Sequence, residues 1–436
     1  MTSKSNISVK NVFLFWLPLA ATWLMMAFEG PFLAAIIARL AAPEPNLAAF
    51  GVGYAIALFA EAPVIMLMTT STAMVKNRPT YYKIRNFSFA VCLAVTGSLL
   101  LVIWNPVFST LVIDWIALPL PIADLVWWAL VVLIPWPAAI GYRRFYQGLL
   151  ISNGRTRLVA YGTVLRLAGM SSTGLLLYKY SSLPGVLVAA AALSIGVIIE
   201  AAGSRIMAAK CIQEILHKSP DDDDPLDIDY TYIIHFYWPL AMTSALGMGL
   251  HPVVVFYLGQ SKMAIASLAV LPVVNSLVFV FRSMGLAYQE VGIALMGKAK
   301  QGLPALKTFT ILLGLGTIAC LGIIAFTPLS AVWYQHISSL PAELARIAIV
   351  PTQILALLPG LSVLLSFQRA IVVQLHQTRL ITIATALEVI SVIVILQLLI
   401  RFTSFTGVTA AALSFVISRL LSNLFLARPM FRFMRS

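Results

Sequence analysis

Prolines recur along this chain at a nearly constant distance, and that recurrence restricts the fold to two copies of one unit. At an offset of 221 residues the run Trp16-Leu17-Pro18-Leu19-Ala20 falls on Tyr237-Trp238-Pro239-Leu240-Ala241, Thr22 on Thr243, Pro31 on Pro252 and Leu47 on Leu268. The register then slips by one. At 222, Pro106, Pro119 and Pro137 meet Pro328, Pro341 and Pro359, Phe145 meets Phe367, and Thr156-Arg157-Leu158 meets Thr378-Arg379-Leu380. Five of the twelve first-half prolines find a partner, where chance would give roughly one, so the halves share a structure.

The solvent for this repeat follows from composition: 60% hydrophobic and 10% charged residues across 436 positions cannot make a water-facing surface. A hydrocarbon core of about 30 Å needs about 20 apolar residues per crossing. Twelve stretches qualify, at 11–38, 47–75, 86–104, 124–150, 157–178, 183–210, 231–258, 264–296, 306–327, 345–373, 379–400 and 405–427. All are expected to be helices, because lipid leaves open backbone groups without partners. The expected fold is an all-α integral membrane protein: twelve transmembrane helices in two parallel six-helix repeats, with a cavity between the lobes. Residues 1–210 form the first lobe and 231–436 the second. The linker at 211–230 is expected to be acidic and cytoplasmic, with four consecutive aspartates at 221–224. That run lacks the spaced ligands and glycine of an EF-hand loop, so no metal site is expected there.

The net charge of +13 could suggest nucleic acid, but its placement fits membrane topology. With both termini cytoplasmic, 21 of the 29 Lys and Arg lie on the inner side, five lie outside (Arg39, Lys179, Lys262, Arg346 and Arg401), and Arg166, Arg282 and Arg419 lie within spans. This is the positive-inside bias, and it accounts for the charge without a polyanionic partner. A multi-pass protein of the plasma (bacterial inner) membrane is expected, with no secretory signal peptide. Cys92, Cys211 and Cys320 are too far apart to suggest a disulfide framework or a metal site.

Ionisable groups inside a membrane cost about 2.5–3.5 kcal/mol each on insertion scales, so each is a candidate for function. Glu61, Arg166, Arg282 and Glu388 sit near mid-depth, and the repeat relates them with inverted sign: Arg282 replaces Glu61 at 221, and Glu388 replaces Arg166 at 222. The inversion predicts that Glu61 pairs with Arg166 and Arg282 with Glu388. Such pairs would either hold each lobe together or face the cavity and open for a charged substrate. Asn275, Arg282 and Gln289 recur every seven residues and share a helical face with Glu290 and Tyr288 nearby; Tyr54 and Glu61 repeat that spacing in the second span. Glu29, beside Gly30-Pro31, could carry a proton or sodium ion, and His251 beside Pro252 occupies the matching region of the seventh span. Arg143, Arg144, Arg155 and Arg157 cluster around the inner ends of the fourth and fifth spans, for lipid headgroups or as an electropositive vestibule.

Two six-helix lobes in parallel repeat resemble the superfamily of multidrug and toxic-compound extrusion (MATE) transporters and lipid-linked saccharide flippases. Within it, Phe236-Tyr237-Trp238-Pro239-Leu240-Ala241, the polar eighth span, and Phe367-Gln368-Arg369-Ala370 followed by Thr378-Arg379 are most similar to the progressive ankylosis protein family. That resemblance implies an efflux carrier for a small anion of the citrate, nucleotide or pyrophosphate class, whereas the embedded charges alone leave the substrate's sign open. Proton or sodium coupling is expected, with no cofactor, no metal and a monomeric state. The rival readings are a drug-cation antiporter and a lipid-saccharide flippase. A channel would need a pore loop, and an enzyme a metal-ligand spacing, a nucleophile elbow or a phosphate loop; none of these is present in the sequence.

Overall fold

The computed structural model describes residues 8–217, 229–296, 302–375, 377 and 379–435. The chain is all-helical, with twelve long helical segments among the described residues. The first is Val9–Ala27 and Glu29–Arg39, the second Pro43–Ile65 and Leu67–Met74, the third Arg78–Ile103, the fourth Leu120–Leu133 and Pro135–Ser152, the fifth Thr156–Tyr180 and the sixth Gly185–Met207. The second half follows as Tyr230–Met248 with Leu250–Gly259, Ala264–Met296, Leu303–Phe326, Ala342–Leu355 with Leu358–Gln374, Arg379–Phe402 and Gly407–Arg435. Eleven are long and apolar enough to cross a membrane. The fifth segment, Thr156–Tyr180, is long enough at 25 residues but falls outside those eleven, because Arg166 and the small polar run Ser171-Ser172-Thr173-Gly174 lower its hydropathy. The third starts at Arg78, well before the expected 86, because Asn77 and Thr80 form a reciprocal cap at its N-terminus.

The repeat is visible in the backbone irregularities. Proline has no N–H to bond the carbonyl four residues back, and the helices break just beyond that carbonyl in both halves. The breaks fall at Phe28 for Pro31, Gly249 for Pro252, Ile134 for Pro137 and Ala356-Leu357 for Pro359. Among the described residues four that are not glycine adopt left-handed backbone, in two matched pairs: Ala42 (φ 49°) with Met263 (φ 54°), and Ala117 (φ 60°) with Ser339 (φ 53°). The π-helical turns Ser109–Trp115 and Val332–Ile337 also correspond. One break is unmatched: the second segment interrupts at Met66, just after Pro63, while the eighth continues unbroken for 33 residues.

Packing groups the segments differently from the sequence repeat. One compact unit comprises residues 1–39 with 257–436, and the other residues 40–256. The lobes expected at 1–210 and 231–436 have therefore exchanged their first segments. Reciprocal hydrogen bonds fix the exchange. The Trp16 indole donates to the Met284 carbonyl at 3.0 Å, and the Tyr237 hydroxyl donates to the Pro63 carbonyl at 2.8 Å. Trp16 and Tyr237 correspond at 221, and so do Pro63 and Met284. Part of the expected linker is ordered as the helix Ala209–His217, whose Cys211, Ile212 and Ile215 are buried in a core with Ile84, Phe145 and Ile233. Its aspartates at 221–224 lie outside the described residues. Asp229 caps the seventh segment, and hydrogen bonds from the Thr231 hydroxyl and the Tyr230 N–H hold its carboxyl below the usual carboxylate range.

Within each unit the fourth or tenth segment packs closely on the second or eighth, and small residues set the distance. A Cβ on Gly148 would meet Ser71 and the Met68 carbonyl, and one on Gly141 would come within 3.0 Å of the Val64 Cβ. In the other half the glycines change sides: a Cβ on Gly292 would lie 2.8 Å or less from its neighbour, at 2.7 Å from Ala370, and one on Gly285 at 3.1 Å from Val363. The pairs Ser71/Gly148 and Gly292/Ala370 occupy the same two repeat positions, as do Val64/Gly141 and Gly285/Val363. Each contact keeps one small partner, on opposite helices in the two halves. Large apolar side chains such as Leu93, Leu101, Leu315, Ile323 and Ile390 remain exposed, the surface a bilayer would cover.

The compensation is testable. Gly292→Ser should destabilise by about 1–3 kcal/mol through overpacking. Adding Ala370→Gly, which copies the arrangement of the first half, should recover most of that loss. Thermal unfolding of both variants in one detergent checks this, and equal losses would show that the two positions do not interact.

Candidate functional site

In the unit of residues 40–256, charged side chains from four segments converge inside apolar helices. Arg143 and Gln147 stand one turn apart on Pro135–Ser152, so both reach the same carboxylate. Arg143 Nη1 and Gln147 Nε2 donate to Glu200 Oε1 at 2.8 and 3.1 Å. Arg166 Nε lies 3.4 Å from Glu200 Oε2. That approach depends on small residues between the fifth and sixth segments: a Cβ on Gly196 would lie 3.1 Å from the Arg166 carbonyl oxygen, and Gly169 faces Gly196. Arg144 is within electrostatic reach of Glu61, Glu200, Arg143 and Arg166. Arg143, Arg166 and Glu200 are sealed, with side-chain exposures of 5%, 9% and 0%, while Arg144 is half-buried.

The other unit builds its group from the corresponding segments. Arg419 Nε and Nη2 donate to Glu388 Oε1 at 3.0 and 2.6 Å, and its Nη1 donates to Ser362 Oγ at 3.1 Å. Asn423, one turn beyond Arg419, donates to the Leu361 and Arg419 carbonyls, while Gln368 donates to the Asn423 carbonyl, which locks the tenth segment to the twelfth. Arg369 Nη2 donates to Thr385 Oγ1 at 3.2 Å. Arg282 and Arg369 are each within electrostatic reach of both Glu388 and Arg419. This group is more open: Arg419 and Glu388 keep 11% and 15% side-chain exposure, and Arg282 and Arg369 are half-buried.

The inverted polarity read from the sequence reappears in contacts between the segment that carries Arg166 or Glu388 and the one that follows it. In the fifth and sixth segments Arg166 meets Glu200; in the eleventh and twelfth Glu388 meets Arg419. The predicted pairing of Glu388 with Arg282 gives way to Arg419 as its hydrogen-bonded partner, with Arg282 a further charge nearby. Glu61 is buried beside Arg144. Tyr54 is half-buried, stacked on Phe50 at 5.6 Å and tilted against Trp136 at 6.0 Å. Asn275, Arg282 and Gln289 are all half-buried, as their shared spacing requires, whereas Glu290 is exposed. Glu29 is half-buried and opens the second helix of the first segment beside Gly30, whose Cβ position lies 2.8 Å from Ser276. His251 is exposed, in the unit of residues 40–256.

Sequence reasoning missed Glu200 and left Arg419 without a role. It also placed Arg143 and Arg144 at an inner membrane end, and the structure puts Arg143 inside the ionic group. A usable signal was present: Gln147 and Arg369 correspond at 222, as do Glu200 and Ser422. Ser422 keeps the contact of its counterpart, donating to the Ala384 carbonyl at 3.1 Å, where Gly162 faces Glu200 in the first half.

No protein-family model matches the sequence, and no curated protein matches it. Among solved structures the fold is similar to an inward-facing multidrug resistance transporter of the MATE family in the MOP superfamily, with TM-score 0.74, 13% identity, and coverage of 97% of this chain and 98% of that one. It is similar also to a MOP superfamily transporter from Pyrococcus furiosus described by the reverse polarity of its binding pocket (TM-score 0.67, 14% identity, covering 98% and 97%). A third likeness is to the lipid II flippase MurJ in an inward closed conformation (TM-score 0.69, 14% identity, covering 94% and 87%). The all-α, MATE-like architecture expected from the repeat is therefore the architecture of this chain.

Removing Glu200 would leave Arg143 and Arg166 facing each other without their carboxylate. Glu200→Gln should cost about 3–5 kcal/mol. Arg155→Gln, which breaks an exposed pair with Glu214 at 28% and 46% side-chain exposure, should cost less than about 1 kcal/mol. Thermal unfolding midpoints in the same detergent compare the two.

Proposed function

We propose that this chain is a secondary-active membrane transporter that exports a small organic or phosphate-bearing anion by rocking of two lobes about a midplane site. The observation that carries this reading is the sign of the embedded charge. Among the described residues Arg143, Arg144 and Arg166 stand against Glu61 and Glu200, while Arg282, Arg369 and Arg419 stand against Glu388. A guanidinium in apolar surroundings needs a counter-charge, and a soluble anion supplies one. The fold supports a carrier, being shared with transporters in inward-facing and outward-facing conformations. The reverse polarity described for the binding pocket of the Pyrococcus furiosus protein supports the view that this architecture tolerates pockets of different polarity. The progressive ankylosis resemblance narrows the cargo to the citrate, nucleotide or pyrophosphate class. The carrier acts as a monomer in the plasma (bacterial inner) membrane with both termini cytoplasmic. A drug-cation antiporter would instead place an acidic excess in these groups, and a flippase a strongly basic cavity.

Expression should enrich the medium in one or a few small anions, and Arg282→Ala should reduce that enrichment at least about tenfold if Arg282 contributes a charge-assisted contact. Untargeted metabolite analysis of the medium reads this, and a medium unchanged by the wild-type chain would refute anion export. Coupling is assigned to Glu29, a half-buried carboxylate at the break of the first segment. In proteoliposomes, Glu29→Gln should abolish the response of transport to an imposed proton or sodium gradient while leaving downhill exchange of cargo intact.

A further inference from the structure

The two ionic groups are built from corresponding segments, yet they differ in ways that assign them different work. The group around Glu200 is nearly balanced, with three arginines against two glutamates, and it buries Arg143, Arg166, Glu61 and Glu200. The group around Glu388 has three arginines against one glutamate among the described residues, and all four side chains retain access. Arg282 and Arg369 each present a buried Nε–H with no hydrogen-bond partner among the described residues, a feature that Arg144 shares in the other group. Buried donors of this kind are costly to leave unsatisfied, and guanidinium forks match carboxylate and phosphate oxygens.

We infer that Arg282, Arg369 and Arg419 form a binding site for a doubly charged carboxylate or phosphate anion, in which Glu388 is the resident counter-ion that the ligand displaces. Arg419 places both Nε and Nη2 on one oxygen of Glu388, the same fork an arriving oxyanion would use. Two unneutralised positive charges set the preferred ligand as a dianion. The Ser362 hydroxyl holds Arg419 through Nη1 when Glu388 withdraws, and Thr385 holds Arg369. The inference starts from the anionic polarity of the proposed cargo, but its test reads binding and not transport, so either can fail alone. The same oxyanion chemistry is found in free dianions and in lipid headgroups.

The full chain in nanodiscs of neutral phosphatidylcholine should bind inorganic pyrophosphate or succinate saturably by calorimetry. Arg369→Gln should weaken that binding about tenfold or more, and Glu388→Gln, which removes the competing carboxylate, should tighten it about tenfold. Opposite shifts cannot arise from general loss of structure. Lys179→Gln, at the exposed end of the fifth segment, should leave binding unchanged. In mixed nanodiscs, native mass spectrometry should separate the sources. Retention of phosphatidylglycerol that Arg369→Gln removes, without binding of the free anions, keeps the site and assigns it to headgroups. Absence of both kinds of binding in the wild-type chain, or shifts of one sign in both variants, overturns the site.

Discussion

The close approach of the fourth segment to the second, and of the tenth to the eighth, is the contact on which the rest of the structure depends. It brings backbone within reach of backbone in a medium that offers no hydrophobic drive between helices, and it requires a small residue at each crossing. Gly141 and Gly148 meet that requirement from the fourth segment, Gly285 and Gly292 from the eighth. The charged positions ride on the same helices. Arg143 and Gln147 lie between the fourth-segment glycines, and Arg282 precedes Gly285 by less than a turn. Packing and electrostatics therefore share one geometry, and both are inverted between the halves while the architecture is kept.

Inversion of this kind separates the shape of a position from its chemistry. A contact needs a large and a small partner, or a cation and an anion, and it is indifferent to which helix contributes which. The two halves have used that freedom in four places: Val64/Gly141 against Gly285/Val363, Ser71/Gly148 against Gly292/Ala370, Glu61 against Arg282, and Arg166 against Glu388. At Glu200 and Ser422 the exchange goes further. The second half gives up its acid there and introduces Arg419 one turn earlier, which converts a balanced buried group into one with excess positive charge.

Much of this was legible before any coordinates. Proline spacing located the duplicated unit, and the same prolines mark the helix breaks, because a missing N–H acts locally wherever it occurs. The sign change at Glu61/Arg282 and Arg166/Glu388 was legible as well, since corresponding positions occupy corresponding places. Partner choice was hidden. Arg166 meets Glu200, a contact that repeat symmetry did not name, because side-chain reach and the glycines between the fifth and sixth segments decide it. The exchange of first segments was hidden too, for a repeat in the sequence specifies which helices are alike and leaves open which copy each one packs against.

That exchange has a consequence for biosynthesis. The unit of residues 40–256 can close only once Tyr237 has emerged to reach Pro63, whereas Trp16, made among the first residues, waits for Met284 and the segments after it. Long sequence separation between partners slows assembly. The middle of the polypeptide is thus the part that matures first, and its earliest-inserted helix stays unclaimed in the bilayer until the last third has been translated.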